Sequence, residues 1–340
     1  MLLTDYLRSE PDITWEYAKQ CGVKHGVIRL PEEEAFDMTD KGCFEAVVNR
    51  FQSHGITPVV IEPMPNCVHD HIKAGDDKRD ESIDKVIKMM ALMDQFDIRT
   101  ICFNFMAHIG WLRTDNNVRE RGGALVTGFD LPKFEKGLLD QTLHLMSGGV
   151  MPGEGAGPVD ITEEELWYNY EYFLKAVIPY AERYHIKLAL HPDDPPISPL
   201  GGVSRIMISY ENIQRAMQVV KSDQLGLTFC QACYLMMGED LYDIIPKLRE
   251  KIFFVHFRNV TGNKYHFHET FHDNGEIDMA KILRLYQDCG IDVPIRLDHV
   301  PTMAGESEKT GYSALGRLFA IGYLKGLLQA TQLKEMDREM

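Results

Sequence analysis

Residues 187–196 read KLALHPDDPP. A short apolar run closes on a histidine, and the prolines that follow restrict the next loop and deny it backbone donors. Three later stretches have the same form: LGLTFCQA at 225–232, IFFVHFRNV at 252–260 and VPIRLDHVP at 293–301. Each is a strand-like run ending on or containing a residue able to bind a metal, which gives His191, Cys230, His256 and Asp298 in chain order. Further strand candidates lie at 26–30, 58–62 and 99–106, and a weaker one lies in the opening MLLTDYL. Helical periodicity fills the intervals at 84–96, 163–184 and 312–328. Short buried strands alternating with helices specify repeated β-α units around a parallel sheet, and eight of them close a (β/α)8 TIM barrel. A chain of 340 residues lies within the range that such barrels occupy as one catalytic domain, 1–340. The Gly/Pro-rich stretch at 147–160 is expected to be a rim loop of that barrel and not a domain boundary.

Composition narrows the function. The formal charge of -15 repels phosphate backbones and anionic bilayers, so neither nucleic acid nor membrane is an expected partner. A small anionic substrate remains compatible, because an ion and a few arginines can reverse the potential inside one pocket. No run of about 18 apolar residues occurs and the start lacks a basic segment followed by an apolar one, so a cytoplasmic chain is expected. The seven cysteines are odd in number and scattered, which points to reduced thiols. Cys230 and Cys233 form a CxxC, which signals redox or zinc chemistry when it opens a helix or has a second pair; no second pair exists.

The metal expectation rests on position. Active sites of parallel barrels lie at the carboxyl ends of the strands. Alternation along each strand puts Ala189 on the face of His191, Thr228 on that of Cys230, Phe254 and Arg258 on that of His256, and Arg296 on that of Asp298. The small residues Ala189, Gly226 and Thr228 are expected to leave room for a ligand. Two imidazoles, a thiolate and a carboxylate suit a borderline divalent transition ion and do not suit magnesium or calcium, which prefer oxygen shells. With open positions, such an ion promotes chemistry at a carbon next to a carboxylate. His299, after Asp298, and Tyr312, expected to open the last helix, are the nearby acid-base candidates. Glu62, Asn104 and Arg113 lie near first-half strand ends, where they would bind hydroxyls or a carboxylate, and Arg258 and His268 complete the expected substrate contacts. His268 belongs to YHFHETFHD at 265–273, a histidine-rich segment expected to be a lid or a support behind the ligands. Asp193 and Asp194 are expected to orient neighbours or to lie on the surface.

Taken together, the motifs resemble the D-mannonate dehydratase family. The resemblance is carried by HIKAGDDKRDESIDK at 71–85, ICFNFMAHIGWLRTD at 101–115, LALHPDDPP, LTFCQ, IFFVHFRNV, FHETFHDNGEIDM at 267–279, PIRLDH and GYSALGRLFAIGYLKGLL at 311–328. It implies a xylose-isomerase-like barrel, Mn2+ or Fe2+ on His191, Cys230, His256 and Asp298, and His299 with Tyr312 as the acid-base pair. The implied reaction is D-mannonate to 2-dehydro-3-deoxy-D-gluconate and water, within hexuronate breakdown, by a chain that can form a homo-oligomer. Some positions depart from the pattern. The family's small Thr-Gly-Ser-like turn after the cysteine is replaced by Gln231, Ala232, Cys233 and Tyr234. Its Arg-Pro-Asp-His-Gly appears as Arg296, Leu297, Asp298, His299 and Val300, and the first strand and the stretch around Asn66 and Cys67 are altered. A metal-dependent sugar isomerase or epimerase on the same barrel is the alternative reading, against which the cysteine ligand counts.

Overall fold

The computed structural model describes residues 1–33, 35–137, 161–307 and 311–339; the segment 147–160 lies outside them. Eight parallel strands close a barrel: β1 (Leu2–Leu7), β2 (His25–Ile28), β3 (Thr57–Ile61), β4 (Thr100–Phe103), β7 (Lys187–Leu190), β8 (Leu225–Cys230), β9 (Ile252–Phe257) and β12 (Pro294–Leu297). The weak opening segment is the strand that seals it, pairing with β12 through Leu2 and Pro294 and with β2 through Thr4 and His25. The remaining strands, β5 (Asp115–Arg119), β6 (Leu125–Asp130), β10 (Val260–Asn263) and β11 (His266–Glu269), form an antiparallel sheet in the order β10-β11-β6-β5. They follow β4 and β9, so this second sheet caps the carboxyl end of the barrel. Sequence patterning did not anticipate it, and the histidine-rich segment is half of one of its hairpins.

Two expected strands end early, each for a side-chain reason. The run 99–106 stops at Phe103, because the Asn104 carboxamide accepts from the Met106 amide at 3.1 Å and turns the chain. The run 252–260 divides at Arg258 and Asn259. There the Asn259 carboxamide donates to the His272 and Ile277 carbonyls, both at 3.0 Å, and accepts from the Ile277 amide, redirecting the backbone into β10. The last helix, Ala314–Glu339, starts two residues after Tyr312, which lies in the preceding loop; Gly311 there has φ 77°, a conformation open to glycine. The helix after β4, Glu163–Arg183, begins with a capping box between Thr162 and Glu165.

The barrel floor is filled. Val27, Val60, Cys102, Ala189 and Phe254 pack together with Phe253, and the Phe253 ring and the Lys251 carbonyl occupy the space a side chain at Gly226 would need. Thr228 donates to the Ala189 carbonyl at 3.0 Å. The small residues of β7 and β8 therefore admit neighbouring core side chains and no ligand, contrary to expectation, and ligand space is confined to the mouth above them. Among the described residues no helix is long and apolar enough to cross a membrane.

One loop histidine makes the fold sensitive to acid. The fully buried His272 donates from Nε2 to the Phe257 carbonyl at 2.8 Å, and burial lowers its pKa to about 4. The folded value lies below the unfolded value of about 6.5, so this contribution is complete above pH 6.5 and is lost as the pH falls from about 6.5 to about 4. Stability by urea unfolding should therefore be about 2 kcal/mol lower at pH 5 than at pH 7 through this group alone. His272→Asn should remove that part of the drop; a variant with the parent's pH dependence would show that His272 does not cause it.

Candidate active site

The strand ends bring the four donors into one cluster, with Cys230, His256 and Asp298 buried and His191 half-buried. His191 follows β7 and donates from Nδ1 to its neighbour, the Pro192 carbonyl, at 2.6 Å; a carbonyl only accepts, so Nε2 keeps its lone pair. That nitrogen lies 3.2 Å from His256 Nδ1. Cys230 and His256 are paired in register across β8 and β9, and Arg296 is paired with His256 across β12 and β9, which sets all three at one level. Asp298, one residue past β12, places Oδ2 3.5 Å from His256 Nδ1. Ligand atoms of Cys230, His256 and Asp298 lie within 4.8 Å of one another, as do those of His191, Cys230 and Cys233.

The electrostatics suit a cation at this point. Burial opposes ionisation of the Cys230 thiol, yet the Cys233 thiol donating to it at 3.4 Å, the Arg258 guanidinium and the two imidazoles hold it well below the ordinary thiol range. Burial likewise opposes the Asp298 carboxylate, and Arg296, His299 and His256 outweigh it. Burial and Arg296 act against a proton on His256, but Glu62 and Asp298 prevail and hold its pKa well above the ordinary value. The clustered Cys230, His256 and Asp298 donors, with the His191 Nε2 lone pair 3.2 Å from His256 Nδ1, fit a divalent transition ion, which would take the place of the proton on His256.

The surrounding side chains fix these donors. Arg296 donates from Nε and Nη2 to the two Glu62 oxygens at 2.7 and 2.9 Å, and from Nη1 to Asp298 Oδ1 at 2.9 Å. Tyr312 OH donates to the same Oδ1 at 2.9 Å, which leaves Asp298 Oδ2 facing His256 and His299. Glu62 also lies 2.9 Å from His256 Nε2, and its pKa falls to about 2 because Arg296 and His256 outweigh burial. Glu62, expected to contact substrate, thus has both oxygens engaged in holding His256 and Arg296 while still lining the cavity.

His299 and Tyr312 stand side by side, with ring centroids 5.1 Å apart, and Trp111 packs edge-on to both. The His299 backbone has φ 48°, an uncommon conformation away from glycine that turns the ring over the cluster. Arg113 Nη2 lies 3.5 Å from His299 Nε2; a guanidinium only donates, so Nε2 carries the lone pair. Burial lowers the pKa of His299 against the pull of Asp298 and Glu269. The Tyr312 phenol is held well above its ordinary value by burial and then by the Asp298 charge. A neutral imidazole and a protonated phenol therefore share one wall.

The other expected contacts divide. Asn104 lines the cavity, which has a volume of about 260 Å³. Arg113 and Arg258 do not line it: each is fully buried and paired with Asp194 and Glu269, and these two carboxylates hold both guanidiniums at 2.7 to 2.9 Å. Asp194 is consequently a buried counter-ion, and Asp193, also buried, accepts from the Met207 amide at 2.9 Å. His268 lies in β11 with Nε2 3.8 Å from Glu120, away from the cavity wall. Sequence reasoning passed over Tyr6, Arg8 and Arg29, which line the cavity from the ends of β1 and β2. The strand-end rule that found the ligands would have found these as well, had the first strand been read with equal weight.

A closed parallel barrel that gathers donor atoms and proton-transfer groups at its carboxyl mouth defines an α/β-barrel enzyme. Solved xylose-isomerase-like barrels share the fold: the D-psicose 3-epimerase of Clostridium cellulolyticum aligns with a TM-score of 0.60 at 10% identity, over 98% of this chain and 99% of that one. The family is more specific. The family model described as D-mannonate dehydratase (UxuA) matches residues 4–338. The mannonate dehydratase of Oceanobacillus iheyensis is 32% identical over 343 residues, covering 97% of each chain. The crystal structure of mannonate dehydratase from Streptococcus suis serotype 2 aligns with a TM-score of 0.85 at 27% identity, over 98% of this chain and 96% of that one. This chain belongs to the D-mannonate dehydratase family and is a hydro-lyase of that kind.

Proposed function

We propose that the chain is a metal-dependent dehydratase that converts D-mannonate to 2-dehydro-3-deoxy-D-gluconate and water. His191, Cys230, His256 and Asp298 would hold one divalent ion, Mn2+ or Fe2+. The observation that carries this reading is the convergence of those four side chains beside a neutral imidazole and a protonated phenol, on a barrel of this family. A divalent ion bound there supplies Lewis-acid stabilisation for the charge that develops beside the substrate carboxylate.

The residues divide the proton transfers between them. The neutral His299 imidazole, which lines the cavity, accepts the C2 proton. The electron pair released forms the C2–C3 double bond as the C3–O bond breaks. Tyr312 gives its proton to the departing 3-hydroxyl, which leaves as water, and the enol takes a proton at C3 to give the 2-keto acid. Asp298 Oδ1 orients the Tyr312 hydroxyl, while Arg296 and Glu62 hold Asp298 and His256 in register. Trp111 packs edge-on against both rings and holds them side by side.

Purified protein loaded with Mn2+ and supplied with D-mannonate should form a 2-keto-3-deoxy acid, detected by colorimetry of that product class, and a chelator should abolish the product. A ketose or an epimer in its place would assign the site to isomerisation, and no product from any sugar acid would refute the dehydratase reading.

A further inference from the structure

One buried thiol has no part in the reaction above. Cys233 is the third residue of the helix Gln231–Met237, so the CxxC does open a helix, the condition under which its spacing acquires chemical meaning. Its side chain is fully buried and its sulfur lies 3.4 Å from that of Cys230. With Cys230 and His191 it forms a three-donor group whose atoms all fall within 4.8 Å of one another, sharing only Cys230 with the group that includes Asp298. Arg258 Nη1 stands 3.6 Å from both sulfurs.

A cysteine pair with two residues between its members has the spacing by which one turn of chain chelates a tetrahedral, thiophilic ion. Two sulfurs each about 2.3 Å from such an ion stand roughly 3.8 Å apart, so the pair needs to open by only a few tenths of an ångström. An imidazole nitrogen supplies the third donor, and an N–H donor shared by both sulfurs offsets the charge that two thiolates place on one ion. We propose that Cys233 gives this centre a second coordination mode, in which a thiophilic dication such as Zn2+ is held by His191, Cys230 and Cys233. The proposal rests on the reading that His191 and Cys230 hold the metal. An ion with less affinity for sulfur keeps the arrangement with His256 and Asp298, whereas Zn2+ releases the Cys233 proton to solvent and settles on the sulfur side.

X-ray absorption at the metal edge counts sulfur neighbours directly in the unaltered, full-length protein. The protein loaded with one Zn2+ per chain should show two sulfurs at about 2.3 Å, and the Mn2+-loaded protein should show one. One sulfur around zinc would overturn the second mode and leave Cys230 as a ligand; no sulfur around either ion would overturn the centre itself. Cys233→Ala should weaken Zn2+ binding about 10- to 100-fold and Mn2+ binding at least about 10-fold less than that, because the Mn2+ mode loses only the hydrogen bond to Cys230. Equal loss for both ions would identify Cys233 as a packing residue and refute the proposal.

Discussion

Replacing Tyr312 with phenylalanine should lower D-mannonate turnover by about 10²- to 10⁴-fold, the usual contribution of a positioned acid or base, with metal content and melting temperature unchanged. The substitution removes one hydroxyl and keeps the ring that packs against His299 and Trp111. Asp298 Oδ1 retains the Arg296 guanidinium after the phenol is gone, so the carboxylate keeps its orientation and Oδ2 still faces His256. The KM for substrate should change much less than kcat, because a group that gives up its proton in the transition state contributes mainly to kcat. Turnover equal to the parent's would remove Tyr312 from the chemistry. A parallel loss of metal would show that it acts by holding Asp298.

Glu269→Gln should destabilise the fold by about 3–5 kcal/mol, read as a lower urea midpoint with the same slope. Glu269 and Asp194 balance Arg113 and Arg258 in a cluster with all four side chains buried. Glutamine keeps the shape and part of the hydrogen bonding but leaves two guanidiniums facing one carboxylate, an uncompensated buried charge. The cluster joins the loop after β4, the loop after β7, the end of β9 and the end of β11, so the cost falls on the mouth of the barrel. A loss below about 1 kcal/mol would mean that water or a backbone shift relieves the charge.

How far the sequence could be read follows from the range of the interactions involved. Barrel strands announce themselves locally, as short apolar runs, and the four donors were legible because each closes such a run. Strand ends were less so. Asn104 and Asn259 stop β4 and β9 by side-chain bonds that hydrophobic periodicity does not register. The second sheet was illegible because β5 and β6 carry polar and glycine residues, and β6 is stabilised by β11 from far along the chain. The roles of charged residues were hardest to assign. Arg113 and Glu62 both read as substrate contacts, because nothing nearby in sequence reveals that Arg113 is paired with Asp194 and Glu269 or that Glu62 is held by Arg296, 234 residues away.

That pairing of β6 with β11 has a consequence for the order in which the molecule is made. The hairpin of β5 and β6 leaves the ribosome long before its partner exists, and closing so wide a loop is costly until the staves between are in place. The second sheet thus waits for β7, β8 and β9 to be made before it can be completed. A nascent or truncated chain ending before residue 266 would carry an open edge on β6 where β11 belongs, available to stray strands.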